Sequence, residues 1–173
     1  YRIIFIPETI GSIVYLSKHL EHLQNNVIAG FNISCVGDDR SYSYLPSRTG
    51  ATLADRAAVY ALGHIGEFKK YSFLERGSDE RQYCSPLVNL PICSIMRSKF
   101  GSYPEYHTSM DNLQLISPEG LEGAYNVLIR AFDFIESSSI YKAVYPCEPQ
   151  LGKRGLYPKI GAKKHPYEIK DMM

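Results

Sequence analysis

The sequence lacks several features by which whole classes of protein are recognised. It holds no tryptophan among its 173 residues, and no two of its four cysteines stand at C-x-x-C spacing. This usage argues against a zinc ribbon or a disulfide framework and fits a reducing compartment, so we expect a cytoplasmic protein. No apolar run approaches the roughly 18 residues of a membrane-spanning helix, which predicts that the chain has no membrane partner.

Charge and short motifs exclude further classes. The formal net charge is only +1, so the sequence predicts no general attraction of this domain to nucleic acid. The chain contains no G-x-G-x-x-G, no G-x-x-x-x-G-K-[ST] and no G-x-S-x-G pattern. Dinucleotide-binding, phosphate-loop and serine-hydrolase functions are therefore disfavoured.

What is present is an alternation of strand-like and helix-like segments. Apolar runs predict strands over residues 3–6, 27–36, 70–74 and 92–96, and an edge strand over residues 41–45. Apolar positions at helical spacing predict helices that begin near residues 12, 52 and 117, the last two behind a threonine or serine cap. This alternation indicates an α/β protein, a three-layer α/β/α sandwich with a mostly parallel sheet.

Three polar residues follow predicted strands. Glu8 comes after the first strand, Asp79 after the strand that ends near residue 74, and His107 lies in the loop after the strand that ends at residue 96. Because right-handed crossovers bring the ends of parallel strands to one edge of the sheet, we expect these side chains to meet there. Carboxylates and imidazole are ligands that catalytic zinc uses, and Asp111 is placed to hydrogen-bond to His107 and orient it.

Simpler interpretations of the same region stay open. His107 can be a surface-loop histidine, and the Asp38 and Asp39 pair after Gly37 is more typical of a turn than of a metal site. Cys84 could act as a nucleophile activated by His107, although a buried structural thiol is the simpler interpretation.

Three segments then carry a resemblance to a known family. They are F-I-P-E-T-I-G-S at residues 5–12, G-S-D-E-R-Q-Y-C-S-P at residues 77–86 and Y-H-T-S-M-D-N at residues 106–112. In this order they resemble three successive motifs of the zinc aminopeptidase clan, and more closely the bacterial proteins with an aminopeptidase-like domain found with polysaccharide biosynthesis genes. The resemblance spans roughly residues 1–145. It implies a zinc-exopeptidase fold with cocatalytic zinc at the edge of the sheet.

The resemblance also implies roles for individual residues. Asp79 matches the aspartate that binds one metal, His107 the histidine that binds the other, and Glu8 the glutamate that acts as general base. Arg81 and Tyr83 are placed to contact the substrate or its oxyanion. The implied reaction is metal-dependent hydrolysis of a peptide or amide bond in the full-length protein. A catalytically silent scaffold or binding module, acting with polysaccharide-assembly or regulatory partners, is the alternative.

Two departures from the family pattern weaken the expected site. Thr9 stands where active relatives carry a second, metal-binding glutamate, so either Glu8 itself binds metal or one metal is held loosely or is absent. The family's first metal histidine and its bridging aspartate lie upstream of the glutamate motif, at which this chain begins. We therefore expect an N-terminally incomplete domain that binds zinc poorly, is inactive alone and covers an exposed sheet edge by forming a homo-oligomer.

The predicted organisation is one domain and a tail. Residues 1–145 are expected to form the C-terminal part of the catalytic domain. Residues 146–173, which contain prolines and lysines but no periodic apolar pattern, are expected to form an extended connector. The winged-helix-like module that usually follows in the family would fit such a connector.

Overall fold

The structure, a computed structural model, describes residues 1–139 and, beyond them, residues 144, 146, 147, 150 and 152–154. The chain divides into two compact units, Tyr1–Ser138 and Ser139–Met173. Among the described residues of the second unit, Gly152–Arg154 form a short 3-10 helix. The predicted boundary at residue 145, and most of the predicted connector over residues 146–173, lie outside the described residues and stay predictions.

The first unit alternates helices and strands. Its elements are α1 (Ile10–Asn26), β1 (Gly30–Ile33), β2 (Ser43–Leu45), α2 (Leu53–Gly63), β3 (Lys69–Lys70), a 3-10 helix (Phe73–Glu75), α3 (Glu80–Tyr83), β4 (Ile92–Met96) and α4 (Pro118–Ser137). Thr52 caps α2 by accepting from the Asp55 amide, and Ser117 caps α4 directly before Pro118. Both caps stand where the sequence predicts them. Among the described helices, none has the length and apolar character to cross a lipid bilayer.

The four strands form one sheet in the order β1-β4-β2-β3. β1 runs parallel to β4 and β3 runs parallel to β2, while β2 runs antiparallel to β4 with Tyr44 opposite Ile95. The predicted mostly parallel sheet is confirmed. The prediction of an edge strand over residues 41–45 is wrong, because β2 lies between β4 and β3 and all of its residues are buried. Its serine at position 43 is small enough to be enclosed by the core.

One face of the sheet is covered by α2 and α4. Cys93 and Ile95 of β4 pack there with Tyr44 of β2, against the alanines of α2 and against Val127 and Ala131 of α4. Since side chains alternate across a strand, the residues between Cys93 and Ile95 and on either side of them point to the other face.

The other face of the sheet carries α1 and α3. Ser94 of β4 and Asn32 of β1 hydrogen-bond to Glu80 of α3, and α1 packs beside α3 through a cluster that includes Leu16 and Leu23. Helices therefore lie on both faces of the sheet, which confirms the predicted three-layer α/β/α sandwich.

The first apolar run is not part of the sheet. Residues 3–6 have no regular structure, and Ile3 and Phe5 are 80% and 95% exposed, so the prediction of a buried strand is wrong. A buried strand needs a neighbouring strand to pair with its backbone and a layer to cover its side chains. In the part of the chain that the structure describes, β1 is the edge of the sheet and residues 3–6 do not pair with it.

The predicted strand over residues 70–74 is correct only at its start. β3 ends at Lys70, and Phe73–Glu75 form a 3-10 helix. Ser72 begins that helix because its hydroxyl accepts from the Leu74 amide while its own amide donates to Glu75. This capping box competes with continued strand pairing and ends the strand early.

Candidate functional site

The glutamate motif forms a tight turn directly before α1. Thr9 has φ 62°, and the Ile10 amide donates to the Glu8 carbonyl at 2.7 Å. Gly11 leaves no room for a side chain, since an added Cβ would lie 2.7 Å from Ile6 Cβ. The Glu8 side chain is exposed, so its carboxylate is accessible to solvent and to a substrate. We call residues 7–11 the Glu8 turn.

Direct hydrogen bonds join the Glu8 turn to the second motif. The Thr9 amide donates to Asp79 Oδ1 at 2.6 Å, across 70 positions of sequence. The Arg81 guanidinium donates to Thr9 Oγ1 at 3.0 Å. Asp79 is buried, whereas Arg81 is exposed. The structure therefore brings Asp79 and Arg81 to the residue that follows Glu8.

The segment that carries Asp79 is fixed to the sheet by its neighbour, Glu80. The Glu80 side chain is fully buried, and its Oε1 accepts from the Gly77 and Ser78 amides at 2.8 and 3.0 Å. Its Oε2 accepts from Asn32 at 3.0 Å and from Ser94 at 3.2 Å, which lie on β1 and β4. These four bonds satisfy a carboxylate that burial would otherwise destabilise strongly.

His107 lies in a separate exposed turn with φ 59°. The Thr108 amide and hydroxyl donate to the Glu105 carbonyl at 3.0 and 2.7 Å, and the Tyr106 ring stacks on the His107 ring with centroids 3.9 Å apart. The Glu105 carboxylate accepts from the Arg40 guanidinium at 2.8 and 2.9 Å. Those hydrogen bonds lower the pKa of Glu105 from 4.5 to about 2. We call residues 105–108 the His107 turn.

A cavity of about 340 Å³ lies beside the His107 turn. Asp111, Tyr103, Tyr106 and Cys35 line it together with His107, and the Tyr103 hydroxyl donates to Cys35 Sγ at 3.5 Å. The mixture of aromatic, thiol and carboxylate groups suits a small ligand that is partly apolar. Asp111 thus shares a cavity with His107, and its predicted role in orienting that ring stays a prediction.

Electrostatics connects the two turns. Burial raises the pKa of the Tyr106 phenol, and the negative charge of Glu8 raises it further. Glu8 is thus joined to Asp79 through the hydrogen bond of the Thr9 amide, and its charge acts on the Tyr106 phenol.

The two predicted substrate-binding residues have different surroundings. Arg81 is exposed and bonded to Thr9, at the edge of the Glu8 turn. Tyr83 lies in a core cluster with Leu16 and Leu90, where burial raises the pKa of its phenol and the Asp79 charge adds to the rise. Arg81 is therefore the better placed of the two to meet a substrate, and both roles stay predictions.

The Cys84 thiol has a structural environment. It is buried and donates to the Leu90 and Ile92 carbonyls at 3.4 and 3.1 Å. Burial raises the pKa of Cys84, which disfavours the thiolate that a nucleophile requires. These contacts favour the structural interpretation over a Cys84 nucleophile.

Two family models match the chain. Residues 139–173 match a model described as winged helix-turn-helix. Residues 1–138, most of the chain, match a model described as Domain of unknown function (DUF4910). This chain belongs to the DUF4910 family.

Relatives of this DUF4910 chain come from Clostridium acetobutylicum. One, provisionally named as a polysaccharide biosynthesis protein with aminopeptidase-like domain, is 42% identical over 163 residues, which are 93% of this chain and 37% of that protein. The crystal structure of a protein provisionally named a peptidase has a TM-score of 0.73 at 40% identity, and the match covers 86% of this chain and 35% of that one. The DUF4910 chain therefore spans little more than a third of these relatives, and the predicted resemblance is confirmed.

More distant structures agree in fold. An aminopeptidase from Aneurinibacillus sp. strain AM-1 has a TM-score of 0.59 at 20% identity, over 71% of this chain and 29% of that one. A zinc aminopeptidase from Bacillus subtilis has a TM-score of 0.56 at 17% identity, over 75% of this chain and 34% of that one. These matches confirm the predicted zinc-exopeptidase-like fold, and at such identities they show the fold alone.

Within the residues that the structure describes, no three or more histidine, cysteine, aspartate or glutamate side chains form a group that could hold a metal ion. Asp79 already accepts a hydrogen bond at Oδ1, and His107 lies in another turn. Catalytic zinc takes three protein ligands. Asp79 and His107 have suitable donor atoms, but the described residues do not fit zinc by themselves.

The sequence interpretation missed the residues that hold both turns. Glu80 carries one usable signal, because an acidic residue in the first turn of a helix can accept hydrogen bonds from the backbone amides near that end. The Arg40 and Glu105 pair carries none, since 65 positions separate the two residues and nothing in the local pattern connects them.

Proposed function

We propose that this DUF4910 chain is the C-terminal part of an aminopeptidase-like hydrolase domain, and that the full-length protein cleaves a peptide or amide bond. One observation carries the proposal. The hydrogen bond from the Thr9 amide to Asp79, 2.6 Å long, joins the first two of the three motifs that resemble aminopeptidases. The relative that is 42% identical, and is named for an aminopeptidase-like domain, supports it.

In this proposal Glu8 is the general base. Its exposed carboxylate takes a proton from the attacking water and returns it to the leaving amine. The bonds from Thr9 to Asp79 and from Arg81 to Thr9 fix the backbone that presents Glu8. Arg81 is placed to bind the substrate beside this turn, through a guanidinium that keeps free donors after its bond to Thr9.

Zinc belongs to this proposal only in the full-length protein. Asp79 and His107 would each supply one donor, and ligands from outside this chain would have to complete the set. We infer that the chain alone is inactive for this reason.

The proposed setting is a cytoplasmic step of polysaccharide biosynthesis. The name of the Clostridium acetobutylicum relative supports the link to polysaccharide. Cys35, Cys84, Cys93 and Cys147 are all free thiols, as in a reducing compartment.

Substrate turnover by the full-length protein tests this proposal. We expect release of an amino acid from a panel of dipeptides and aminoacyl amides, and Glu8→Gln should lower kcat by about 10²- to 10⁴-fold, the usual contribution of a general base. Glu21→Gln is a matched control, because Glu21 is an exposed glutamate on α1, the helix that follows the Glu8 turn. Activity that survives Glu8→Gln would reject Glu8 as the base.

A second function is favoured by one specific observation. The family resemblance implies a metal-binding glutamate where this chain has Thr9, and the Thr9 amide and hydroxyl both form protein hydrogen bonds. A turn that is satisfied internally suits a catalytically silent scaffold or binding module. Absence of turnover by the wild-type full-length protein over the whole panel, with zinc supplied, would favour this function over hydrolysis.

A further inference from the structure

We propose that Arg40 and Glu105 form a positioning pair that fixes the His107 turn to the sheet. The importance of a fixed His107 for the reaction rests on the proposed function, whereas the positioning itself can be measured without any activity. Nothing in the sequence motifs assigns a role to either residue.

The pair has a geometry that restrains orientation as well as distance. Arg40 Nη1 donates to Glu105 Oε2 at 2.9 Å, and Arg40 Nη2 donates to Glu105 Oε1 at 2.8 Å. Two parallel bonds between a planar guanidinium and a planar carboxylate leave little freedom of rotation. A lysine at position 40 could supply the charge but not this fork.

Arg40 is itself anchored to the end of β4. Its amide donates to Asp38 Oδ1 at 3.0 Å, and Asp38 is buried. The Ser98 amide donates to Asp38 Oδ2 at 2.9 Å, and the Ser98 hydroxyl donates to Asp38 Oδ1 at 2.7 Å. Ser98 follows β4 closely in sequence, so a continuous set of contacts leads from the central sheet to the Arg40 guanidinium.

Glu105 connects the anchored Arg40 to the turn that contains His107. Its carbonyl accepts from the Thr108 amide and hydroxyl and so closes the turn around His107. His107 has φ 59°, a left-handed conformation that residues with a side chain adopt less readily than glycine, so the contacts on both sides help to hold the turn. The Tyr106 ring, stacked on His107, also packs in the cluster around Met96 and Phe100.

This role differs from that of an ordinary surface ion pair. The Arg40 and Glu105 side chains are 48% and 20% exposed, and exposed pairs add little to global stability. The proposal therefore predicts a local effect on His107 without a matching loss of stability.

Nuclear magnetic resonance of the full-length protein, labelled with ¹³C at histidine Cε1, tests the positioning. The His107 signal is assigned by its loss in His107→Gln. Arg40→Met and Glu105→Gln should each move that signal toward the position of an unstacked histidine, and Arg40→Lys should move it less. Arg56→Met is the control, because Arg56 is an exposed arginine on α2, and it should leave the signal in place.

The melting temperature and the kinetics complete the test. Arg40→Met should lower kcat/KM by about tenfold or more, within the range of up to about 10²-fold seen for small displacements of reacting groups, while the melting temperature stays near that of Arg56→Met. A His107 signal that is unchanged in both Arg40→Met and Glu105→Gln overturns the positioning pair. If the wild type has no activity, the proposed function fails, yet the His107 signal still decides the pair.

Discussion

The Glu8 turn and the His107 turn are held in place by opposite means. The Glu8 turn is bonded to buried Asp79, whose neighbour Glu80 makes four hydrogen bonds inside the protein. The His107 turn carries the partly exposed ion pair of Arg40 and Glu105, while its Tyr106 ring packs in the cluster around Met96 and Phe100. One half of the candidate site is therefore bonded to a buried carboxylate, and the other half adds an ion pair at the surface to its core contact.

Burial decides how each half responds to its surroundings. Hydrogen bonds to a buried carboxylate are strong because the local dielectric constant is low, and they are expensive to break. An exposed ion pair is screened by salt and disappears when its carboxylate is protonated. The Glu8 turn should thus be rigid under most conditions, whereas the His107 turn should be adjustable.

The largest expected effect is that of Glu80→Ala. The substitution removes the acceptor of the buried Ser78 and Ser94 donors, at a cost of about 1–3 kcal/mol for each, and that of the half-buried Asn32 side chain, whereas the exposed Gly77 amide can bond to water. We expect the free energy of unfolding, measured in urea, to fall by about 3 kcal/mol or more.

Glu21→Ala is the control for this loss, since Glu21 is exposed on α1. It should change the free energy of unfolding by less than about 0.5 kcal/mol. An equal loss in both variants would contradict the view that the Asp79 segment is fixed through Glu80.

Gly120→Ala should have the next largest effect, on the other half of the site. An added Cβ at Gly120 would lie 2.6 Å from the Asp38 carbonyl oxygen and closer still to the Gly37 carbonyl, so α4 and the turn before Arg40 must separate. Such overpacking costs about 1–3 kcal/mol. Urea unfolding measures this cost, and the His107 signal should move while the Glu8 turn keeps its bond to Asp79.

Gly63→Ala is the matched control at a helix end. An added Cβ there meets no atom within 4 Å, so the variant should gain about 0.4–1 kcal/mol from the reduced entropy of its unfolded chain. A similar loss of unfolding free energy in both glycine variants would mean that the close approach of α4 does not set the position of the turn at residues 37–40.

A smaller expected effect is the response to pH, which distinguishes the two halves of the candidate site. The pKa of Glu105 is lowered from 4.5 to about 2 by hydrogen bonds from Arg40, so the stabilising pair is fully formed above about pH 4.5 and is lost as the pH falls toward about 2. The pKa of Glu105, measured from its carboxyl ¹³C shift, should return toward 4.5 in Arg40→Met.

Salt should act on the same pair in the same direction. The screening length falls to about 3 Å in 1 M salt, so the pKa of Glu105 should rise there in the wild type. A value that depends on neither Arg40 nor salt would remove the contrast between the two turns.

The smallest expected effect concerns the free edge of β1. Among the described residues this edge lacks a partner strand, and Ile28 and Ile33 beside it are 69% and 51% exposed. We expect the 173-residue chain to form a homo-oligomer by covering this edge, seen as a mass that rises with concentration in light scattering. Ile33→Lys should weaken the association, and a monomer at all concentrations would contradict it.

Much of the fold follows from local pattern. The starts of α2 and α4 are predicted by Thr52 and by Ser117 with Pro118, because a cap needs only residues within one helical turn. Likewise β4 is visible as a short apolar run. The candidate residues Glu8, Asp79 and His107 were identified by their motifs, but which contacts each one makes was not.

The sequence by itself determined the starts of α2 and α4, the apolar faces and hence the α/β/α layering, because these depend on residues close together along the chain. Only the tertiary structure decided that β2 is central, that residues 3–6 stay outside the sheet, and that Thr9 binds Asp79. It also decided that Arg40 reaches Glu105. The physical reason is that each of these contacts depends on a partner far away in the sequence, and periodicity and capping carry no information about such partners.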